Sequence, residues 1–175
     1  MKGARQKSEA LARRDMNLTV SNIGLNVLYY GVTAGGLPST VLYVEDRLGL
    51  GRQPLAWLRI AAVVLAVIGI ALQLWCITLF QRLGRGTASP LLPPRQLVLT
   101  GPYRWLRNPM NAGEVAVFLA LAAWFGSRAL VAYAVLAWFS FHAFVVFYEE
   151  PRLAYRFGDR YDAYRRDVAR WIPKT

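Results

Sequence analysis

One cysteine and one histidine occur in 175 residues, and both fall inside apolar runs. A lone Cys76 leaves no intrachain disulfide to form, and with a single His142 the usual Cys/His zinc sites are excluded as well. Charge is also scarce, at 18% of residues against 55% hydrophobic. That balance rules out a disordered or nucleic-acid-coating chain. Acidic residues are the rarer sign, 10 against 21 basic, for a net charge of +11. Such an excess ordinarily points to phosphates, but the basic residues sit between long apolar runs instead of along one face, so no nucleic-acid partner is expected. The length allows one domain.

What the sequence has instead is apolar stretches of membrane-crossing length, for which about 20 residues suffice. We read four spans at about 17–44, 55–80, 110–125 and 130–148. The first is interrupted by Asn22, Asn26, Gly35-Gly36 and Pro38, which predicts an irregular far end. The last two form a hairpin broken at Gly126-Ser127-Arg128, with a first arm short for a bilayer. Basic residues test the layout, because they concentrate on the cytosolic side. Five lie in the first 16 residues, five in 81–108 and seven in 149–175, whereas Arg47, Arg52, Arg59 and Arg128 fall on or near the opposite connections. The expectation is therefore an all-α polytopic membrane protein, with a basic cytosolic tail over 1–16 and a single membrane domain over 17–175. Both termini are expected in the cytosol, and the bilayer, most simply the cell (inner) membrane, is the first partner. A cleaved signal peptide fits less well, since the basic region contains Glu9 and Asp15 and the apolar stretch resumes directly after Ala34-Gly35-Gly36.

Chemistry concentrates on the basic side. Residues 81–109 carry Gly84, Gly86, Pro90, Pro93, Pro94, Gly101, Pro102 and Pro109, a density suited to holding a ligand against backbone amides, or simply to stopping helices. Glu149-Glu150 ends the last span, where acids oppose the helix dipole. Either the helix continues past Pro151, or something positive sits beside the pair, Arg152 and Arg156 or a cationic ligand. Glu114 lies on the helical face of Asn111 inside the short third span, to pair with a group such as Arg107 or to face a substrate. His142 lies two turns above Glu149 and can meet a substrate proton or be a satisfied core histidine.

The runs Gly84-Arg85-Gly86-Thr87, Pro93-Pro94-Arg95-Gln96-Leu97-Val98, Gly101-Pro102-Tyr103-Arg104 and Arg107-Asn108-Pro109-Met110 resemble the integral-membrane methyltransferases of the isoprenylcysteine carboxyl methyltransferase and phospholipid methyltransferase superfamily. Glu149-Glu150, Leu153, Phe157-Gly158, Tyr161, Tyr164 and Ile172-Pro173 match its C-terminal pattern, so the resemblance covers roughly 55–175. It implies a helical membrane enzyme that binds S-adenosylmethionine on the cytosolic side and releases S-adenosylhomocysteine, with a lipophilic small-molecule acceptor entering from the bilayer. On this reading a cytosolic loop and the C-terminal helical segment hold the cofactor through Gly86, Arg95, Gln96, Leu97, Val98, Gly101, Tyr103, Asn108, Pro109, Met110, Asn111, Glu149 and Glu150. Arg107, Asn108, Glu114 and His142 are the candidates for catalysis. Two features depart from the family: Asn108 and Asn111 stand where many relatives carry His and Tyr, and Val145 stands where prenylcysteine enzymes carry a carboxylate-gripping Arg. An amine or thiol head group is therefore ranked above a carboxylate. The competing classes are a non-catalytic membrane carrier or assembly subunit on the same fold, and a reductase related to membrane sterol reductases, for which no nicotinamide site is apparent.

Overall fold

The computed structural model describes residues 24, 27–83 and 96–174; the basic tail and loop residues 84–95, with Gly86 and Arg95, lie outside them. The described chain is helical. Its first arm, 27–47, contains a π-helical segment, Gly31–Gly36, followed by α1 (Leu37–Arg47). Then come α2 (Ala56–Arg82), a 3-10 turn Gly101–Arg104, α3 (Pro109–Phe125) and α4 (Arg128–Phe144). A second π segment, Val145–Glu149, carries α4 without a break into α5 (Glu150–Phe157), and α6 (Asp159–Asp167) follows.

Two of these helices are long and apolar enough to cross a bilayer, Ala56–Arg82 and the continuous Arg128–Phe157, with mean hydropathies of 2.6 and 2.0. Their outer faces display Ile60, Val67, Leu136 and Phe139 more than half exposed. Apolar surface of that extent belongs against lipid. Pro109–Phe125 is apolar but shorter, and the first arm ends in the charged Glu45-Asp46-Arg47.

Each helix boundary has a local cause. Gly126 takes a left-handed conformation (φ 61°) that ends α3, and Ser127 then caps α4 by accepting the Leu130 amide at 3.0 Å. The expected hairpin break is thus where the turn chemistry put it. The expected irregular far end of the first arm is instead a wide turn in mid-arm. Gly31–Gly36 precedes Leu37-Pro38 just as Val145–Glu149 precedes Glu150-Pro151. A proline inside a helix removes one amide and clashes with the preceding turn; a π turn relieves both constraints, so the chain continues as helix where a stop was one of two expectations. In both cases the last amide before the proline reaches back five residues, Leu37 to the Val32 carbonyl and Glu150 to that of Val145.

The most extensive interface joins α2 and α3, which run antiparallel, as the Gln53 amide donating to the Gly126 carbonyl at their far ends requires. They cross at Gly69 and Gly113. A Cβ on Gly69 would stand 2.6 Å from the Gly113 carbonyl, and one on Gly113 would stand 2.8 Å from that of Gly69. Only bare backbone lets helices approach so closely in lipid, where packing replaces the hydrophobic effect. Because the crossing lies near the start of α3 but mid-way along α2, the last turns of α2 project about 13 Å beyond the start of α3 at 1.5 Å per residue. That projecting wall is what the polar segments pack against.

Candidate functional site

The 3-10 turn docks on the projecting end of α2. Gly101 (φ 61°) lies so close to it that a Cβ there would stand 2.7 Å from Leu79 Cδ1 and 3.3 Å from Trp75 Nε1. Tyr103 follows, buried, edge-on to Phe80 at 5.5 Å between ring centroids. Its phenol hydrogen-bonds with the Cys76 thiol, and burial, then the neighbouring thiol, hold it well above the usual phenol range. Cys76, Val98 and Tyr103 form one buried cluster, against which Met110 packs.

The C-terminal segment closes over this turn. Tyr164 donates to the Tyr103 carbonyl at 2.7 Å, and the Arg107 amide donates to the Ala169 carbonyl at 2.9 Å within a parallel bridge between Leu106 and Ala169. Asn108 lies buried just before α3 and gives its side-chain amide to the Arg170 carbonyl at 3.4 Å. His142 accepts from Trp171 Nε1 at 2.9 Å and stacks on Trp138.

The two adjacent acids separate. Glu150 is gripped by Arg107 (3.0 Å) and by Arg170 through both carboxylate oxygens (2.8 and 3.0 Å). Neither Arg152 nor Arg156 serves it: Arg152 binds the Tyr148 hydroxyl and lies over that ring, and Arg156 lies over Phe157. Glu149, just beyond the apolar stretch that ends at Tyr148, hydrogen-bonds to no described residue. It faces the same interior as Tyr103 and Tyr161, whose titration its charge influences. Burial, then the charge of Glu150, push its carboxyl above the usual range. Tyr161, buried beneath Arg107 and Glu150, is pushed up to about 12, chiefly by burial.

Of the expected cofactor residues, then, Val98, Tyr103 and Met110 come together at one patch, with Glu149 facing Tyr103 and Pro109 buried at the start of α3. Leu97 and Asn111 are half-buried, Gln96 is exposed, and Gly86 and Arg95 lie outside the described residues. Arg107 and Glu150 are engaged with each other, and Asn108 with the C-terminal backbone. Glu114 does not pair with Arg107; it accepts hydrogen bonds from Tyr29 and Thr33 of the first arm. Arg170, Tyr161, Tyr164, Trp171 and Cys76 join the site although no local pattern marks them, apart from the aromatic pair Tyr161 and Tyr164 three residues apart.

The donor set suits a ligand with a positive end: an acid without a described partner, half enclosed, beside a neutral phenol, under a glycine-bearing turn that follows the backbone of α2 closely. An α-ammonium or a ribose hydroxyl matches such a carboxylate. That combination on a helical membrane scaffold defines the class of integral-membrane methyltransferases. The family model for phospholipid methyltransferases matches residues 57–160, more than half of the chain, and the protein belongs to that family. The match begins with α2 and ends early in α6, so the first arm and the closing segment Tyr161–Lys174 lie outside it. No curated protein sequence matches the chain.

Proposed function

We propose that the protein transfers a methyl group from S-adenosylmethionine to a lipophilic acceptor, binding the cofactor on the cytosolic side of a four-span fold in the cell membrane. The observation that carries this reading is the separation of the acids: Glu150 is fully occupied by Arg107 and Arg170, which leaves Glu149 for a cationic ligand. The bound cofactor supplies an electrophilic methyl group on sulfonium. What the chain does is hold and align. Arg107, Asn108 and Arg170 fix the closing segment over the Gly101–Arg104 turn, which keeps Glu149 and Tyr103 facing each other and shields the pocket from water. Methyl transfer to a good nucleophile needs little beyond such alignment and desolvation. Asn108 serves in this reading as a positioning residue, and so does His142, whose Nδ1 is committed to Trp171. Val145, where a carboxylate grip would need Arg, supports an amine or thiol acceptor over a carboxylate. The concentration of basic residues beside both motif blocks supports a cytosolic cofactor site.

Calorimetry on detergent-solubilised protein tests the reading. S-adenosylhomocysteine should bind and NADPH should not. The opposite pattern would identify a reductase, and binding of neither a carrier without chemistry.

A further inference from the structure

The first arm lies outside the family match, yet it supplies three side chains around an acid buried in the bundle. Tyr29 donates its phenol hydrogen to Glu114 Oε2 at 3.1 Å. The Thr33 hydroxyl, in the π segment, lies 2.9 Å from the Tyr29 carbonyl and 3.1 Å from Glu114 Oε1. Tyr133 of α4 completes the cluster by donating to the Thr33 carbonyl at 2.7 Å. A threonine hydroxyl has one hydrogen, and here it faces two acceptors. All three contacts of Tyr29, Thr33 and Glu114 carry a hydrogen only if Glu114 brings one: it then donates to Thr33, Thr33 donates to the Tyr29 carbonyl, and Oε2 accepts from the Tyr29 phenol. No described cation pairs with Glu114, and an unpaired carboxylate out of water is strongly disfavoured.

Beside this neutral carboxyl stands Tyr30. Its hydroxyl is buried and has no partner among the described residues, whereas buried polar atoms are nearly always bonded. Its electrostatic neighbours are Glu114 on one side and Cys76 on the other, and Cys76 is the thiol that meets Tyr103. The unpaired hydroxyl therefore lies between the polar cluster and the candidate cofactor patch. The groups facing Glu114 are Tyr29 and Tyr30 from the first arm and Tyr133 from α4, with Cys76 of α2 beyond Tyr30; none can carry positive charge.

We propose that the first arm completes the acceptor's head-group site, in which the Tyr30 hydroxyl, beside a neutral Glu114 held by Tyr29 and Thr33, receives an amine or hydroxyl head group and refuses an anionic one. The proposal rests on the methyltransferase reading and names the part of the chain that selects the acceptor. A head group with both a lone pair and N–H or O–H hydrogens satisfies the phenol in either direction, whereas a sulfonate or phosphate would meet no compensating charge there.

Protein in lipid nanodiscs, titrated with hexadecylamine, hexadecanol and hexadecanesulfonate, tests this by infrared difference spectroscopy, with S-adenosylhomocysteine calorimetry on the same samples. Expected is a protonated-carboxyl band at neutral pH that is missing in Glu114→Gln and is perturbed by the amine or the alcohol but not by the sulfonate. Tyr30→Phe should weaken the probe that perturbs it by about three- to tenfold, the loss of one hydrogen bond, with unchanged thermal stability and unchanged S-adenosylhomocysteine binding. Tyr29→Phe should shift the band instead. Absence of the band in the unaltered protein, an equal response to sulfonate, or unaltered probe affinity in Tyr30→Phe would overturn the proposal while leaving the methyltransferase reading intact. Failure of the unaltered protein to bind S-adenosylhomocysteine would overturn that reading and the head-group assignment with it.

Discussion

Adjacent Glu149 and Glu150 should respond in opposite ways to the same chemical change. Glu150 accepts three charge-assisted hydrogen bonds from two guanidinium groups, and it and Arg107 are only 13% and 12% exposed. Removing one partner of a largely buried pair costs about 3–5 kcal/mol, mostly because the remaining charges are left unpaired. Arg170 is 30% exposed and water can recover part of its interaction, so about 3 kcal/mol is the expected loss for Glu150→Gln. That loss falls on the docking of the closing segment, since Arg107 and Arg170 are the ties that Glu150 makes. Amide hydrogen exchange over 159–174 should rise about a hundredfold, the equivalent of about 3 kcal/mol, while exchange in α2 and α3 is unchanged. Glu149→Gln removes a desolvated charge that no described residue compensates, so it should leave exchange unaltered or slower. Its cost should appear in S-adenosylhomocysteine affinity, about tenfold or about 1.4 kcal/mol. If Glu149→Gln releases the closing segment, or Glu150→Gln leaves it docked, the division of labour is wrong.

Affinity for the cationic end of the cofactor should also depend on pH through Glu149. Because its carboxyl is held above the usual range, the ionised form that favours binding is present above that raised pKa and is lost as pH falls through it, so affinity should begin to drop at higher pH than for an ordinary carboxylate; in Glu149→Gln the drop should vanish. Gly113→Ala should destabilise the α2–α3 pair by about 1–3 kcal/mol, measured by unfolding in mixed micelles, since its Cβ would press on the Gly69 carbonyl; an unchanged midpoint would mean that the crossing is looser than 2.8 Å implies. Cysteines introduced at Gln96 and Lys174 should be shielded from an impermeant label added outside intact cells, and one at Gln53 should react. Labelling at Gln96 would refute the four-span topology.

What could be read from the sequence was whatever local chemistry decides. The hairpin break depends on Gly126 and Ser127 alone, and α2 on an uninterrupted apolar run, so both were legible. The partners of Glu150 were not. Spacing on one helix suggested Arg152 and Arg156, but Arg107 and Arg170 reach it from other segments, brought there by the Leu106–Ala169 bridge. Glu114 shows the same limit, since Arg107 was near in sequence whereas Tyr29 and Thr33 arrive through the packing of the first arm. His142 was open between a proton relay and a satisfied core group, and only the position of Trp171 separates the two. Pro38 and Pro151 were visible as interruptions, but a proline in an apolar run reads as a stop unless a wide turn absorbs it, and nothing in the neighbouring residues announces that turn.

Those wide turns make the register of each helix editable by a single codon. A π turn holds one more residue than the α-helix would need, so deleting one residue from Val145–Glu149 would restore regular geometry and rotate everything after it by about 100° relative to α4. Glu149 and Glu150 would leave the pocket together while the membrane-facing residues of α4 kept their places. The equivalent deletion in Gly31–Gly36 would turn α1 relative to Tyr29 and Tyr30 and leave the cofactor end untouched. The two ends of the molecule can thus gain or lose alignment independently by length changes, a route by which related chains can exchange acceptor or fall silent without altering any residue that touches a ligand.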